Sequence, residues 1–150
     1  MGVERLRSFL RSRGTVALDT SILIYQLEKN PRYFLFSDAV FAWLEHNENS
    51  AITSILSMSE LLVPAYRDGD ARRLQHYRGL LGTYPRLAWV QPDLEIADKA
   101  AQLRAAYGLK TPDAIHAATA IKSKVPAFLS NDPIFKRVKE FEALILDDIL

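Results

Sequence analysis

Short apolar segments recur along the chain and predict the strands of a buried sheet. They are T-V-A-L-D at 15–19, A-I-T at 51–53, L-A-W-V at 87–90, A-F-L-S at 127–130 and A-L-I-L at 143–146. None of them shows the strict alternation of apolar and polar residues that is typical of a strand with one solvent-exposed face. Continuous β-branched and apolar runs of this length are typical of parallel strands covered on both sides.

Segments with helical signals separate these strands. Apolar residues at helical spacing and Gly14 predict a first helix over 3–13. Thr20 or Ser21 can cap the next helix, and Pro31 ends it. Pro64 should kink or weaken the helix that Ser54 opens. Further helices are predicted over 34–46, 54–66, 71–83, 93–107 and 113–122, with a short basic helix after Pro133.

The alternation of strands and helices predicts an α/β fold with a central, mostly parallel sheet flanked by helices. We expect one domain over residues 1–150, in which residues 1–14 form an N-terminal helical extension. That helix is either a packed amphipathic element or a basic contact for nucleic acid, since Arg5, Arg7, Arg11 and Arg13 lie on it.

Composition narrows the class of protein. The chain has 150 residues, 49% of them hydrophobic, and a formal net charge of +1. That charge excludes binding to nucleic acid by bulk charge alone. The absence of cysteine excludes disulfides, thiolate catalysis and cysteine-ligated zinc. No apolar run is long enough to cross a bilayer, and the basic N-terminus lacks the apolar centre of a secretory signal, so we expect a cytoplasmic protein.

Four acidic residues stand where a sheet of this kind would bring them together. Asp19 follows the first strand, Asp132 follows the fourth, Asp113 lies in the first turn of a helix and Glu60 lies mid-helix beside apolar residues. Ligands of open parallel sheets bind beyond the carboxyl ends of the strands. Clustered carboxylates are typical of a site for Mg²⁺ or Mn²⁺, and such sites serve phosphodiester hydrolysis.

Each of the four acidic residues also has an alternative, purely structural role. Asp19 can cap the following helix, Asp113 can be an ordinary first-turn acid, and Glu60 can face solvent. Asp132 precedes Pro133 and suits a turn. The order of the four on the strand and helix pattern favours the common site over four separate explanations.

The same segments resemble the PIN-domain ribonucleases, and most closely the VapC toxins of prokaryotic toxin–antitoxin pairs. The resemblance runs from about Thr15 to Leu146 and lies in V-A-L-D-T-S-I-L-I, I-T-S-I-L-S-M-S-E-L-L, T-P-D-A-I-H-A-A-T-A and F-L-S-N-D-P-I-F. It implies a three-layer α/β fold and Mg²⁺- or Mn²⁺-dependent endoribonuclease activity that leaves 5′-phosphate and 3′-hydroxyl ends. It also implies a small antitoxin partner and a homodimer.

The resemblance assigns roles to individual residues. Asp19 and Asp113 would be the principal metal ligands, and Glu60 and Asp132 would complete the acidic pocket directly or through water. Either of the latter two could accept a proton from the attacking water. The residues that would support this pocket are Thr20, Ser130 and Asn131, and Ser21 could share the role of Thr20.

Basic and aromatic residues have open interpretations. Lys110, Lys136, Arg137 and Lys139 flank the acidic segments and are candidates for RNA phosphate contacts or for a solvated surface. His116 either fills space beside its helix or contacts a phosphate. We expect His46 and His76 at the surface and Trp43 and Trp89 in the core, with base stacking as the alternative use of the tryptophans. The aromatic segment 34–43 is either core or a groove for a partner helix or a second copy.

Other functions fit the sequence less well. A PIN-domain nuclease that processes RNA without an antitoxin keeps the same residues, and a non-catalytic RNA-binding module does not need all four acids. A phosphatase of the haloacid-dehalogenase class needs a second Asp two residues after the first, and position 21 is Ser. The sequence does not name the RNA that is cut.

Overall fold

A five-stranded sheet forms the centre of the molecule in the computed structural model, which describes residues 2–150. The strands follow the order β3-β2-β1-β4-β5, and all four pairings are parallel. The predicted α/β fold with a parallel sheet is therefore confirmed. The strands are β1 (Thr15–Leu18), β2 (Ser50–Ser54), β3 (Leu87–Val90), β4 (Ala127–Ser130) and β5 (Glu142–Ile145).

Seven helices cover the two faces of this sheet and give it three layers. Neighbouring residues of β1 point to opposite faces, so Val16 packs in one hydrophobic cluster and Ala17 in the other. Helices α1 to α5 contribute to the first cluster, and α6 and α7 contribute to the second. The helices are α1 (Gly2–Arg11), α2 (Thr20–Leu27), α3 (Phe34–Leu44), α4 (Ile55–Arg67), α5 (Ala71–Thr83), α6 (Leu94–Tyr107) and α7 (Thr111–Lys122), and two 3₁₀ helices span Pro133–Arg137 and Leu146–Ile149.

Alanines let α7 lie close to the sheet. Ala114, Ala117, Ala118 and Ala120 are all fully buried, and they pack in one cluster with Phe128 of β4. Small side chains shorten the distance between packed elements, so the start of α7 is held against the sheet. This packing fixes Asp113, in the first turn of α7, relative to the strands.

The start of α2 agrees with one of the predicted alternatives, whereas its end differs from the prediction. Asp19 caps α2, and Thr20 and Ser21 do not, because the Asp19 carboxylate accepts a hydrogen bond from the backbone N–H of Thr20. Helix α2 ends at Leu27, before Pro31 is reached. Pro64 lies in the last part of α4 and does not stop that helix, which continues to Arg67.

The N-terminal helix is the packed amphipathic element that one interpretation predicted. Leu6 and Leu10 are fully buried against α3, whereas Arg5, Arg7 and Arg11 are exposed. These arginines are therefore accessible for the predicted contact with nucleic acid. None of the helices within residues 2–150 has the length and apolarity needed to span a bilayer.

The aromatic segment of α3 is mostly core. Phe36, Val40 and Phe41 are buried, while Phe34 and Trp43 are only partly covered. Trp89 is likewise partly buried, and both tryptophans pack against the core as expected, each with part of its surface exposed. His46 and His76 are exposed, as predicted.

Candidate active site at the carboxyl edge of the sheet

Asp19 is the most deeply placed of the four acids. It follows β1 directly, its backbone N–H donates to the carbonyl of Leu129 at 3.0 Å, and only 9% of its surface is exposed. One carboxylate oxygen accepts from the N–H of Thr20 at 2.8 Å, and the other accepts from Ser130 Oγ at 2.7 Å. The side chain is thus held in one orientation by donors from two elements.

The environment of Asp19 opposes its negative charge. Burial raises the pKa of Asp19, and the nearby charge of Glu60 adds to that rise. His116 and the hydrogen bonds from Ser130 and Thr20 act in the opposite direction but do not cancel it. A carboxylate that is buried in this way is stabilised when a cation binds beside it.

Ser130 connects the first and fourth acidic segments. Its hydroxyl donates to Asp19 and accepts from the backbone N–H of Asp132 at 3.0 Å. Asp132 itself is exposed, and one of its carboxylate oxygens accepts from the N–H of Ile134, in the first turn of the 3₁₀ helix. Asp132 therefore has the turn role that its neighbour Pro133 indicated and, in addition, is linked to the buried Asp19 through Ser130.

Replacing Ser130 with Ala should loosen both acids. The change removes a hydrogen bond to a buried carboxylate and leaves the N–H of Asp132 without its partner, so we expect about 1–3 kcal/mol lower stability. We also expect about tenfold slower cleavage of RNA, because neither acid keeps its orientation. Chemical denaturation and a cleavage assay measure the two effects. Ser130→Thr keeps the hydroxyl and is the matched control, and equal losses in both variants would contradict the role of the hydroxyl.

Glu60 meets His116 and Thr20 in a polar cluster that borders Asp19. Glu60 Oε1 is 2.7 Å from His116 Nε2 and accepts a hydrogen bond from Thr20 Oγ1 at 2.7 Å. The Glu60 side chain is 38% exposed, whereas His116 is only 3% exposed. Behind them, Ser57 Oγ lies 2.9 Å from both Thr20 Oγ1 and Thr53 Oγ1. The Glu60 carboxylate is therefore fixed from the interior while it remains open to solvent.

These contacts set the charge of Glu60. Burial raises its pKa, but hydrogen bonds from His116 and Thr20 and the charge of His116 outweigh burial, and the pKa is lowered. Glu60 is thus ionised at neutral pH. His116 Nδ1 is buried without a partner among the described residues, so the imidazole interacts with the site through Nε2 alone.

Asp113 senses the other three acids. Its pKa is raised, first by burial and then by the negative charges of Asp132, Asp19 and Glu60, while the charge of His116 acts against them. No hydrogen bond contributes to this shift. The structure therefore brings the other three predicted acids within electrostatic range of Asp113 at the carboxyl edge of the sheet.

The donor set suits a hydrated hard cation. Within residues 2–150, no group of three or more Asp, Glu or His side chains is close enough to surround a metal directly. Mg²⁺ commonly takes one or two carboxylates and keeps several waters, so that spacing fits it. The oxygen donors of the site favour Mg²⁺ or Mn²⁺ over softer metals. The repulsion between Asp113 and the other three carboxylates favours the binding of a cation.

Three residues have roles beyond those that the sequence pattern predicts. His116, expected either to fill space beside its helix or to contact a phosphate, is a partner of Glu60. Ser57 is hydrogen-bonded to Thr20 behind Glu60, and Tyr25, outside this cluster, accepts a hydrogen bond from the Asn131 amide at 3.1 Å. Helical spacing indicates that His116 and Ser57 belong near the site. His116 lies three residues after Asp113, and Ser57 lies three residues before Glu60, so each shares a helix face with an acid.

The remaining candidates lie around the rim. Asn131 fixes the segment after β4, since its amide oxygen accepts from the N–H of Asp147 at 2.8 Å. Lys110 is exposed at the start of α7, near Asp113. Lys136 forms an ion pair with Asp148, and Arg137 donates to the carbonyl of Tyr107 at 3.2 Å. Of the four basic residues predicted to contact RNA, Lys110 and Lys139 are exposed and form no side-chain contact of this kind within the described residues.

Comparison with known proteins gives a consistent picture. The model of the family described as PIN domain matches residues 16–141. No curated protein sequence matches the chain significantly. A toxin–antitoxin complex from Klebsiella pneumoniae is 25% identical with a TM-score of 0.66, over 87% of this chain and 97% of the other.

Two further solved structures share the fold at lower identity. VapBC2 from Rickettsia felis, bound to a DNA fragment from its promoter, is 18% identical with a TM-score of 0.71, over 87% of this chain and 98% of the other. DNA-bound VapBC from Salmonella typhimurium is 17% identical with a TM-score of 0.64, over 88% and 98%. Each of these two matches covers most of this chain and shows a shared fold.

Proposed function

The chain belongs to the PIN domain family, and on this premise we propose that it is a Mg²⁺- or Mn²⁺-dependent endoribonuclease that acts as the toxin of a toxin–antitoxin pair. The observation that carries the proposal is the acidic pocket, in which Ser130 bonds both Asp19 and the backbone of Asp132, and in which burial and the charges of Asp132, Asp19 and Glu60 raise the pKa of Asp113. A site of this charge needs a cation before it can receive a phosphodiester.

Asp19 and Asp113 are the proposed ligands of that cation, with Glu60 and Asp132 acting directly or through water. The bound ion would polarise the phosphodiester and orient the attacking water. Ser130 and Thr20 hold Asp19 and Glu60 in place, which removes the cost of orienting them at each turnover.

Asp132 is the better candidate of the two proposed proton acceptors. The lowered pKa of Glu60 makes its carboxylate a weak base. Asp132 is exposed, and one of its oxygens already accepts from the N–H of Ile134, which leaves the second oxygen for a water molecule.

The toxin role and the antitoxin partner rest on the solved neighbours and on exposed apolar side chains. The Klebsiella neighbour is a toxin–antitoxin complex. Ile55, Val63 and Tyr66 of α4 are 43%, 43% and 60% exposed, on the helix that carries Glu60. A partner or a second copy that covers this helix would lie beside the pocket, which suits an inhibitor and a homodimer.

Incubation with total RNA tests the nuclease directly. In Mg²⁺ or Mn²⁺ we expect the purified chain to give discrete fragments with 5′-phosphate ends, and EDTA should stop the reaction. The Asp19→Asn variant should give no fragments, while Asp98→Asn, an equal change at an exposed acid on α6, should cleave like the original chain. Cleavage that persists in EDTA or in Asp19→Asn would refute the proposed chemistry.

Expression in a bacterial host tests the toxin role separately. We expect growth arrest that depends on Asp19, and a small gene beside that of this chain whose co-expression relieves the arrest. Unimpeded growth with full cleavage activity in vitro would instead identify a processing nuclease.

A further inference from the structure

A second groove lies at the opposite edge of the sheet from the acidic pocket. It has a volume of about 690 Å³ and lies between α1 and the last turns of α3. Leu10 and Trp43 contribute its apolar floor, Arg7 and Arg11 form one wall, and the turn that begins at His46 forms the other. Grooves of this size with an apolar floor and a few polar groups are typical of ligand sites.

Chain connectivity places this groove away from the acids. Helix α1 and the turn after α3 lead into the first residues of β1 and β2, where Ser50 N–H donates to the carbonyl of Gly14 at 2.9 Å. The acids follow the last residues of the parallel strands. Strands of four or five residues separate the two edges by roughly 13–17 Å. The groove also depends on α1, which precedes the part of the chain that the family model matches.

The groove combines cations with an aromatic surface. Arg11 is exposed and forms no ion pair within the described residues, while Arg7 pairs with Glu4 at 2.5 Å. The one acid of the lining is Glu48, on the exposed turn. Trp43 is only partly covered and is a stacking surface for a flat group.

We propose that this groove binds single-stranded RNA, with a base on Trp43 and phosphates at Arg11 and Arg7. Single-strand sites combine stacking platforms with cations along the backbone, which is the pairing found here. A peptide of acidic residues alone would pair with the arginines but would leave the tryptophan without a stacked partner, whereas every nucleotide supplies both an anionic phosphate and a flat base. The choice of RNA rests on the proposed nuclease function, and the groove then holds a part of the substrate that the acidic pocket does not reach.

Fluorescence of Trp43 tests the stacking contact. In a Trp89→Phe background Trp43 is the remaining tryptophan of the chain, and Asp19→Asn in EDTA keeps the RNA intact. We expect a mixed-sequence oligoribonucleotide to quench this emission. A polyglutamate peptide of equal charge should not quench it. Quenching by the peptide and not by RNA would overturn the assignment in favour of a protein ligand.

Affinity measurements test the cationic wall. In the same Asp19→Asn background we expect Arg11→Ser to weaken RNA binding at least about threefold and to lower the salt slope by about 0.7, the value for one phosphate on a single strand. Trp43→Leu should weaken binding at least about fivefold. Arg5→Ser changes the charge of the same helix outside the groove and should leave affinity unchanged.

Cleavage assays separate this inference from the nuclease proposal. With an active pocket, Arg11→Ser and Trp43→Leu should raise KM for long RNA without changing kcat, and should leave cleavage of a dinucleotide unaffected. If both folded variants bind RNA with unchanged affinity, or if Arg5→Ser loses as much affinity, RNA binding in the groove is refuted and the nuclease proposal is unaffected. If RNA binds through the groove but is never cleaved, the nuclease proposal is refuted and RNA binding in the groove is unaffected.

Discussion

Replacing Asp113 with Asn is expected to abolish RNA cleavage and, in the same protein, to raise the melting temperature at neutral pH. Both effects have one origin, because Asp113 is partly buried among the negative charges of Asp132, Asp19 and Glu60. We expect the rate of cleavage to fall at least about a hundredfold, which is the usual effect of removing one group that stabilises charge in the transition state. The neutral amide removes the repulsion without changing the size of the side chain.

The pH dependence of this stabilisation has a defined sign. The folded-state pKa of Asp113 is raised above its ordinary value of 3.8, so the folded protein binds the proton more tightly than the unfolded chain. The protonated acid therefore favours the folded state at low pH, and that advantage is lost as pH rises through the raised pKa. The extra stability of Asp113→Asn over the original chain should be near zero below the ordinary pKa and should grow as pH rises.

Thermal melts with and without Mg²⁺ measure both parts of this prediction. Mg²⁺ should raise the melting temperature of the original chain, since it binds the folded state and offsets the repulsion, and should raise that of Asp113→Asn less. Asp98→Asn is the matched control, and its response to Mg²⁺ should equal that of the original chain. A folded Asp113→Asn variant that cuts RNA at the original rate would exclude Asp113 from the site.

The strands and the positions of Asp19, Asp132 and Asp113 could be predicted because their signals are local, whereas Glu60, in the middle of α4, has no such signal. Apolar runs identify β1 and β4 directly, and the residue that follows a parallel strand must lie at the carboxyl edge of the sheet. Asp19 and Asp132 are placed by that rule alone. Asp113 is placed by Pro112 and the helix start at Thr111, which are equally local features.

The hydrogen bonds that orient these acids depend on packing between distant segments. Ser130 reaches Asp19 across 111 residues of chain, and His116 reaches Glu60 across 56. Whether His116 faces solvent, core or site depends on how α7 rotates against the sheet. The buried alanines of α7 decide that rotation, and their contacts become known only with the tertiary structure.

His116→Leu should impair both the site and the fold, whereas His116→Gln should largely preserve them. Leucine fills a similar volume but cannot donate to Glu60 Oε1, and a glutamine amide can. We expect His116→Leu to lower stability by about 1–3 kcal/mol, the cost of removing one of the two donors to a partly buried charged group. Cleavage should fall about tenfold or more, since Thr20 alone then holds Glu60 from the interior.

A pH profile distinguishes positioning of Glu60 from simple support of the core. With His116 present, hydrogen bonds outweigh burial and lower the pKa of Glu60, so its stabilising contribution is present above its ordinary pKa of 4.5 and lost as pH falls through the lowered value. In His116→Leu, burial still raises the pKa of Glu60, but the hydrogen bond and the charge of His116 that lowered it are gone. The acid limb of cleavage and the onset of acid unfolding should both move to higher pH. A variant that is merely less stable, with an unchanged acid limb, would show that His116 packs α7 without governing Glu60.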